Sequence, residues 1–183
     1  MNAANKSTGN SVDTVTLNTV TLDYFDSPSA LIYGIGNSGR QDDGLGWAFI
    51  DWLEESGLCP HADKVKFYQL NLEDADLISH KRRVLFVDAS KEAALPAFRL
   101  YRAEAKMDFS FTSHAMSIDT IVATCEQCFG SAPEVWVLAI RGYAWELHTG
   151  LTAPATVNLQ LAAGALARSV VHLHERHHEI EHH

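Results

Sequence analysis

Three polar residues stand where chemistry is most readily built: Asp43 follows a short apolar run, Asp88 closes another, and His114 precedes a segment with helical spacing. Two carboxylates and one imidazole form an open-sided donor set that suits a borderline divalent ion such as nickel or zinc. Open positions on such an ion leave room for water or a substrate atom. Singly, each residue has an ordinary structural use, the aspartates as a helix cap or a turn and the histidine as a satisfied surface group. The set acquires meaning only if the fold gathers it.

The elements that must do the gathering read as alternating strands and helices. Residues 30–35 form a continuous apolar run ending in glycines, as expected of a strand buried on both faces. Leu45, Ala48, Phe49, Trp52 and Leu53 recur at helical spacing, which predicts a helix over 43–56 closed by Gly57 and Pro60. Strands follow at 65–70, 84–88, 98–103 and 135–140, with helices at 73–79, 117–129 and 153–175. This order predicts one α/β domain, a three-layer α/β/α sandwich around a largely parallel, mixed sheet of about five strands. In such a sheet function sits at the carboxyl ends of the strands, where the loops carrying Asp43, Asp88 and His114 would open together.

A competing motif lies in the first loop. Gly34-Ile35-Gly36-Asn37-Ser38-Gly39 satisfies G-x-G-x-x-G between a strand and a helix, a dinucleotide-binding fingerprint. The helix, however, starts near Asp42 or Asp43 instead of at the third glycine, and two acids would face the phosphates. The second strand ends in Gln69, where an acid for the ribose hydroxyls is wanted. A tight strand-to-helix turn explains the glycines as well. The alternative function that this loop keeps open is a non-catalytic binding module dependent on a metal or a nucleotide.

Composition narrows the field. The chain has 183 residues and a formal charge of -9, with 23 acids against 14 Lys and Arg, which argues against nucleic acid and anionic membranes as partners. No apolar run is long enough for a membrane helix, and the start lacks a secretory pattern, so the expected location is cytoplasmic. Cys59, Cys125 and Cys128 are too few for a disulfide scaffold and read as free thiols, including the lone C-x-x-C. Residues 1–28 are expected to be a flexible leader, with alternation at 14–17 and 19–22 allowing a short edge strand. The domain itself spans 29–175, and 176–183 form a histidine-rich tail that reads as a solvated, frayed terminus or as a weak scavenger of nickel or zinc.

Gly34-Ile35-Gly36-Asn37 followed by Asp42-Asp43-Gly44-Leu45-Gly46 resembles the opening of the nickel-iron hydrogenase maturation proteases. Asp88-Ala89 after a strand, Thr112-Ser113-His114 before a helix, and 147–152 before the closing helix resemble that family's later motifs, so the likeness runs from about residue 30 to 170. The resemblance implies an endopeptidase that removes the C-terminal extension of a hydrogenase large-subunit precursor after nickel insertion. It implies that nickel is recognised in the substrate by Asp43, Asp88 and His114, with Asp43 and Asp88 the carboxylates of an aspartic-type mechanism. The family's frequent Gly-Gly-Thr turn after the second strand is replaced here by Tyr68-Gln69-Leu70-Asn71-Leu72-Glu73, which resembles a branch with a Q-L-T-P-E-type segment. Asn37 is placed to orient a carboxylate, donate to an oxyanion or shape its own turn, and 141–143 to contact the acceptor polypeptide or form a solvated loop.

Overall fold

A computed structural model describes residues 20–107 and 116–180, with side chains as far as Ala167 in the last helix. Five strands form one sheet: β1 (Ala30–Ile35), β2 (Asp63–Phe67), β3 (Arg83–Ser90), β4 (Phe98–Arg102) and β5 (Glu134–Arg141). Their order is β2-β1-β3-β5-β4, with every neighbour parallel except β4, which runs antiparallel to β5 at the edge. The helices are α1 (Leu45–Glu55), α2 (Glu73–Ser79), α3 (Ile118–Phe129) and α4 (Ala153–Ile180).

The central strands are apolar on both sides because both faces are covered. Ile32 and Leu85 point to a core shared with Phe49, Ile50 and Leu53 of α1 and Ala162 and Leu166 of α4. Leu31, Tyr33, Val84 and Phe86 point the other way, onto Ile78 of α2 and Ile121, Val122 and Cys125 of α3. This two-residue alternation makes the three layers. Along β3 the same parity continues from Val84 and Phe86 to Asp88, so that carboxylate emerges on the α2/α3 face.

Helix α1 is pressed against the sheet through glycine. A Cβ on Gly46 would lie 2.4 Å from the carbonyl oxygens of both Ile35 and Val87, and one on Gly34 would lie 2.7 Å from the Gly46 oxygen. The obstacles at Gly46 are main-chain atoms of the two strands that lead to Asp43 and Asp88, so they cannot rotate aside. Gly46→Ala should therefore cost about 1–3 kcal/mol or more as an overpacking change, read as a lowered denaturant midpoint in equilibrium unfolding.

Several boundaries differ from those expected. A 3-10 turn at Gln41–Gly44 precedes α1, which starts at Leu45 and not at 43. Strand β2 stops at Phe67, because Leu70 turns in to be buried on the α2/α3 face and the Asn71 N–H donates to Asp74 Oδ2 at 2.8 Å. Leu22–Phe25 is a 3-10 helix burying Leu22 and Phe25, in place of the end of the edge strand expected at 19–22. The alternating segment 14–17 lies outside the described residues. Helix α3 is capped as its sequence suggests: Ser117 Oγ accepts the Thr120 N–H at 3.2 Å, and Gly130, at φ 78°, ends it in the left-handed region.

Candidate active site

The loop after β1 is built around Asp43. Gly36 has φ 139°, and a Cβ there would lie 1.9 Å from the Asp43 carbonyl oxygen, so only glycine admits this approach. The Asn37 N–H donates to both the Asp43 carbonyl and Asp43 Oδ2, each at 3.1 Å. Asn37 in turn shapes its own turn, its Oδ1 accepting the Gly39 N–H at 2.8 Å. The Gly36 and Arg40 N–H groups donate to Phe67 and Asn37 carbonyls. A pyrophosphate in this loop would find the amides of Gly36, Asn37, Gly39 and Arg40 already committed and an aspartate in front of the helix, so the nucleotide fingerprint is met in spelling and not in geometry.

Asp42 does different work from its neighbour. Its side chain is fully buried and accepts from the N–H groups of Tyr143 at 2.7 Å, Ala144 at 3.1 Å and Thr152 at 2.8 Å, and from Thr152 Oγ1 at 2.8 Å. Burial pushes its carboxyl up, but these donors outweigh that and hold it below the ordinary value. Asp42 thereby clasps the loop between β5 and α4 to the loop after β1. Gly142 leaves room for the ring of Trp145 in that clasp, since a Cβ there would meet it at 2.7 Å.

Asp43 and Asp88 meet at one cavity of about 430 Å³ at the carboxyl end of the sheet, on the α2/α3 face. Tyr68 and Gln69 beyond β2, Tyr101 of β4 and Asp119 in the first turn of α3 also line it. Burial, and then the nearby Asp43 carboxylate, push Asp88 up to about 7, against a hydrogen bond from the Ala89 N–H. Burial raises Asp43 too, offset in part by the Asn37 N–H and by the charges of Lys91 and Arg40. Two carboxylates sharing one site cannot both ionise freely, so near neutral pH the pair can hold a proton or accept a cation.

His114 lies outside the described residues, so Asp43 and Asp88 are the two expected site residues that the structure brings together. Among the described residues no group of three or more His, Cys, Asp or Glu is arranged to hold a metal ion. The three residues at 141–143 are engaged internally: Arg141 Nη1 donates to the Leu95 carbonyl, the Gly142 N–H to the Ser90 carbonyl and the Tyr143 N–H to Asp42 Oδ2, while Asn158 Nδ2 donates to the Tyr143 hydroxyl. Cys59 and Cys125 are buried and Cys128 exposed, all as thiols.

Sequence reasoning gave no role at this site to Asp42, Tyr101, Gln69 and Asp119. For Asp42 a signal existed: an acid pair early in the chain and a Gly-Leu-Thr late in it, which the fold closes on each other. For Tyr101 only the sheet order could tell, because β4 returns antiparallel at the edge and delivers it to the cavity wall.

No family model matches the chain, and neither does any curated protein. Among solved structures it is similar to the hydrogenase maturating endopeptidase HybD from Escherichia coli, at 15% identity and a TM-score of 0.62 over 78% of this chain and 92% of that one. It is also similar to the NiFe hydrogenase maturation protease HycI from Thermococcus kodakarensis, at 19% identity and TM-score 0.61 over 79% and 97%. The endopeptidase HycI from Escherichia coli superposes with TM-score 0.56 at 20% identity, over 75% and 88%. The fold is therefore that of the hydrogenase maturation endopeptidases, as the sequence motifs imply.

Proposed function

We propose that this chain, folded as those endopeptidases are, removes the C-terminal extension of a nickel-iron hydrogenase large-subunit precursor after nickel has been inserted. The observation that carries the reading is the convergence of Asp43 and Asp88 on one cavity, close enough for one to raise the other's pKa. Nickel belongs to the substrate on this reading. The donor set fits such an ion: two carboxylates that repel each other lose that repulsion when a divalent cation comes between them. His114, which resemblance implies as the third donor, stands two positions before Met116, a residue of the cavity wall.

The nickel held by the precursor would supply Lewis acidity, polarising the scissile carbonyl or a water. The chain's own residues position the bond. Asp43 is fixed by the Asn37 N–H and favoured as the ionised partner by Lys91 and Arg40, whereas Asp88 is the carboxyl most ready to hold a proton at neutral pH. Such a division suits one group taking a proton from the attacking water and the other returning one to the departing amine. No serine or cysteine nucleophile is needed. The described residues contain no helix long and apolar enough to cross a membrane, and the cytoplasm is the proposed place of action.

The test is incubation with nickel-loaded and nickel-free precursor, followed by intact-mass measurement. A short C-terminal peptide should leave only the loaded sample. An unchanged mass in both would sink the proposal, and equal cleavage of both would remove nickel from it.

A further inference from the structure

Beside the cavity stands an apolar surface that the proposed chemistry does not use. Tyr68 lines the cavity and is 65% exposed, and Phe67 before it is 46% exposed. The Tyr68 ring lies 5.0 Å, centroid to centroid, from Trp47 on the outer side of α1. Trp47 is not loose: its Nε1–H donates to the Phe67 carbonyl at 3.1 Å, which fixes the indole on the end of β2. Beyond Trp47 is a second depression of about 160 Å³, lined by Trp47, Ala48 and Leu151 and by the polar Gln41, Asp51 and Thr149. Lys66 and Asp51, joined at 2.7 Å, give this surface a charged border, with the ammonium 5.7 Å over the Trp47 ring. Rigid aromatic rings with a polar rim are the usual anchors of polypeptide recognition.

We infer that the Tyr68–Trp47 ledge is the track by which the polypeptide substrate leaves the cavity, and that the depression beyond it takes an apolar side chain about two or three residues from the cleaved bond. The inference rests on the endopeptidase reading, which makes the occupant an extended chain. Continuity argues for the path, because Tyr68 belongs both to the cavity wall and to the stack with Trp47. Length argues for the spacing: crossing a ring pair 5.0 Å apart, with the rings' own width, takes two or three extended residues at roughly 3.3 Å each. Tyr68 and Trp47 are thus specificity-determining residues, and the depression reads one side chain of the precursor.

Two variants test this without touching the carboxylates. Tyr68→Ala removes the shared wall, and Ala48→Phe fills the depression while leaving both rings. Binding of nickel-loaded precursor is followed by calorimetry, and cleavage by intact mass under steady-state conditions. Each variant should weaken binding and raise KM about tenfold, Ala48→Phe with kcat and the thermal midpoint unchanged, and Tyr68→Phe should bind the precursor as the parent does. Normal KM in both variants, or a loss confined to kcat, overturns the ledge. Precursor that is bound and not cleaved by the parent, with binding weakened in Tyr68→Ala, overturns the protease reading and keeps the ledge; no binding at all overturns both. Concentration-dependent self-association abolished by Tyr68→Ala would assign the surface to a second copy of this chain instead.

Discussion

An Asp88→Asn variant should lose processing of the nickel-loaded precursor by ~10²-fold or more and at the same time unfold at higher denaturant than its parent above about pH 8. The two effects have one cause. Asp88 sits where burial and the Asp43 carboxylate raise it from 3.8 to about 7 in the folded protein. A raised acid binds its proton more tightly when folded, so the stability it permits is complete below the unfolded value and is lost as pH rises through the folded one. Above that value the folded state carries an unfavourable charge that asparagine does not carry. With solvent at the cavity mouth, the expected gain from asparagine is ~1–2 kcal/mol. The gain should shrink to nothing near pH 4. A variant that is less stable than its parent at pH 8 would show that Asp88 is not strained by charge, and one that still processes the precursor would remove it from the mechanism.

Asp42→Ala should do the reverse, damaging the fold first. Its carboxylate accepts four hydrogen bonds in a fully buried place. Truncation leaves the N–H groups of Tyr143, Ala144 and Thr152 without an acceptor, and removing one side of a buried charged network costs ~3–5 kcal/mol. Against a total of ~5–15 kcal/mol for an ordinary domain, that is enough to leave part of the population unfolded at 37 °C. Asp42→Asn gives little relief, because one of its oxygens becomes a donor facing donors. Since Asp42 is held below its ordinary value, its contribution is present above about pH 4 and lost as pH falls through the folded value. Urea unfolding of Asp42→Ala and Asp43→Ala side by side decides the matter. Near-equal stabilities would show that the two neighbours do not divide structural and chemical work as the geometry implies.

Much of the layout was legible because it follows from periodicity. The apolar runs gave β1, β3 and β5 to within a residue or two of their ends, and Leu45, Phe49 and Leu53 gave the buried face of α1. The convergence of Asp43 and Asp88 was legible because parallel strands must present their exits together. The early end of β2 was not, since Leu70 leaves the strand for tertiary reasons that no local pattern carries. Nor was the division between Asp42 and Asp43, because adjacent acids in a turn are equivalent until a distant loop, 101 to 110 positions later, donates to one of them.

The glycine contact between α1 and the strand ends has one more consequence. The gauge between the two acids is set by carbonyl oxygens of Ile35 and Val87 meeting the main chain at Gly46, with no side chain in the stack. Backbone atoms are common to every sequence. Core side chains can therefore drift through many combinations, each filling the layers in its own way, while the jaws of the site keep their opening.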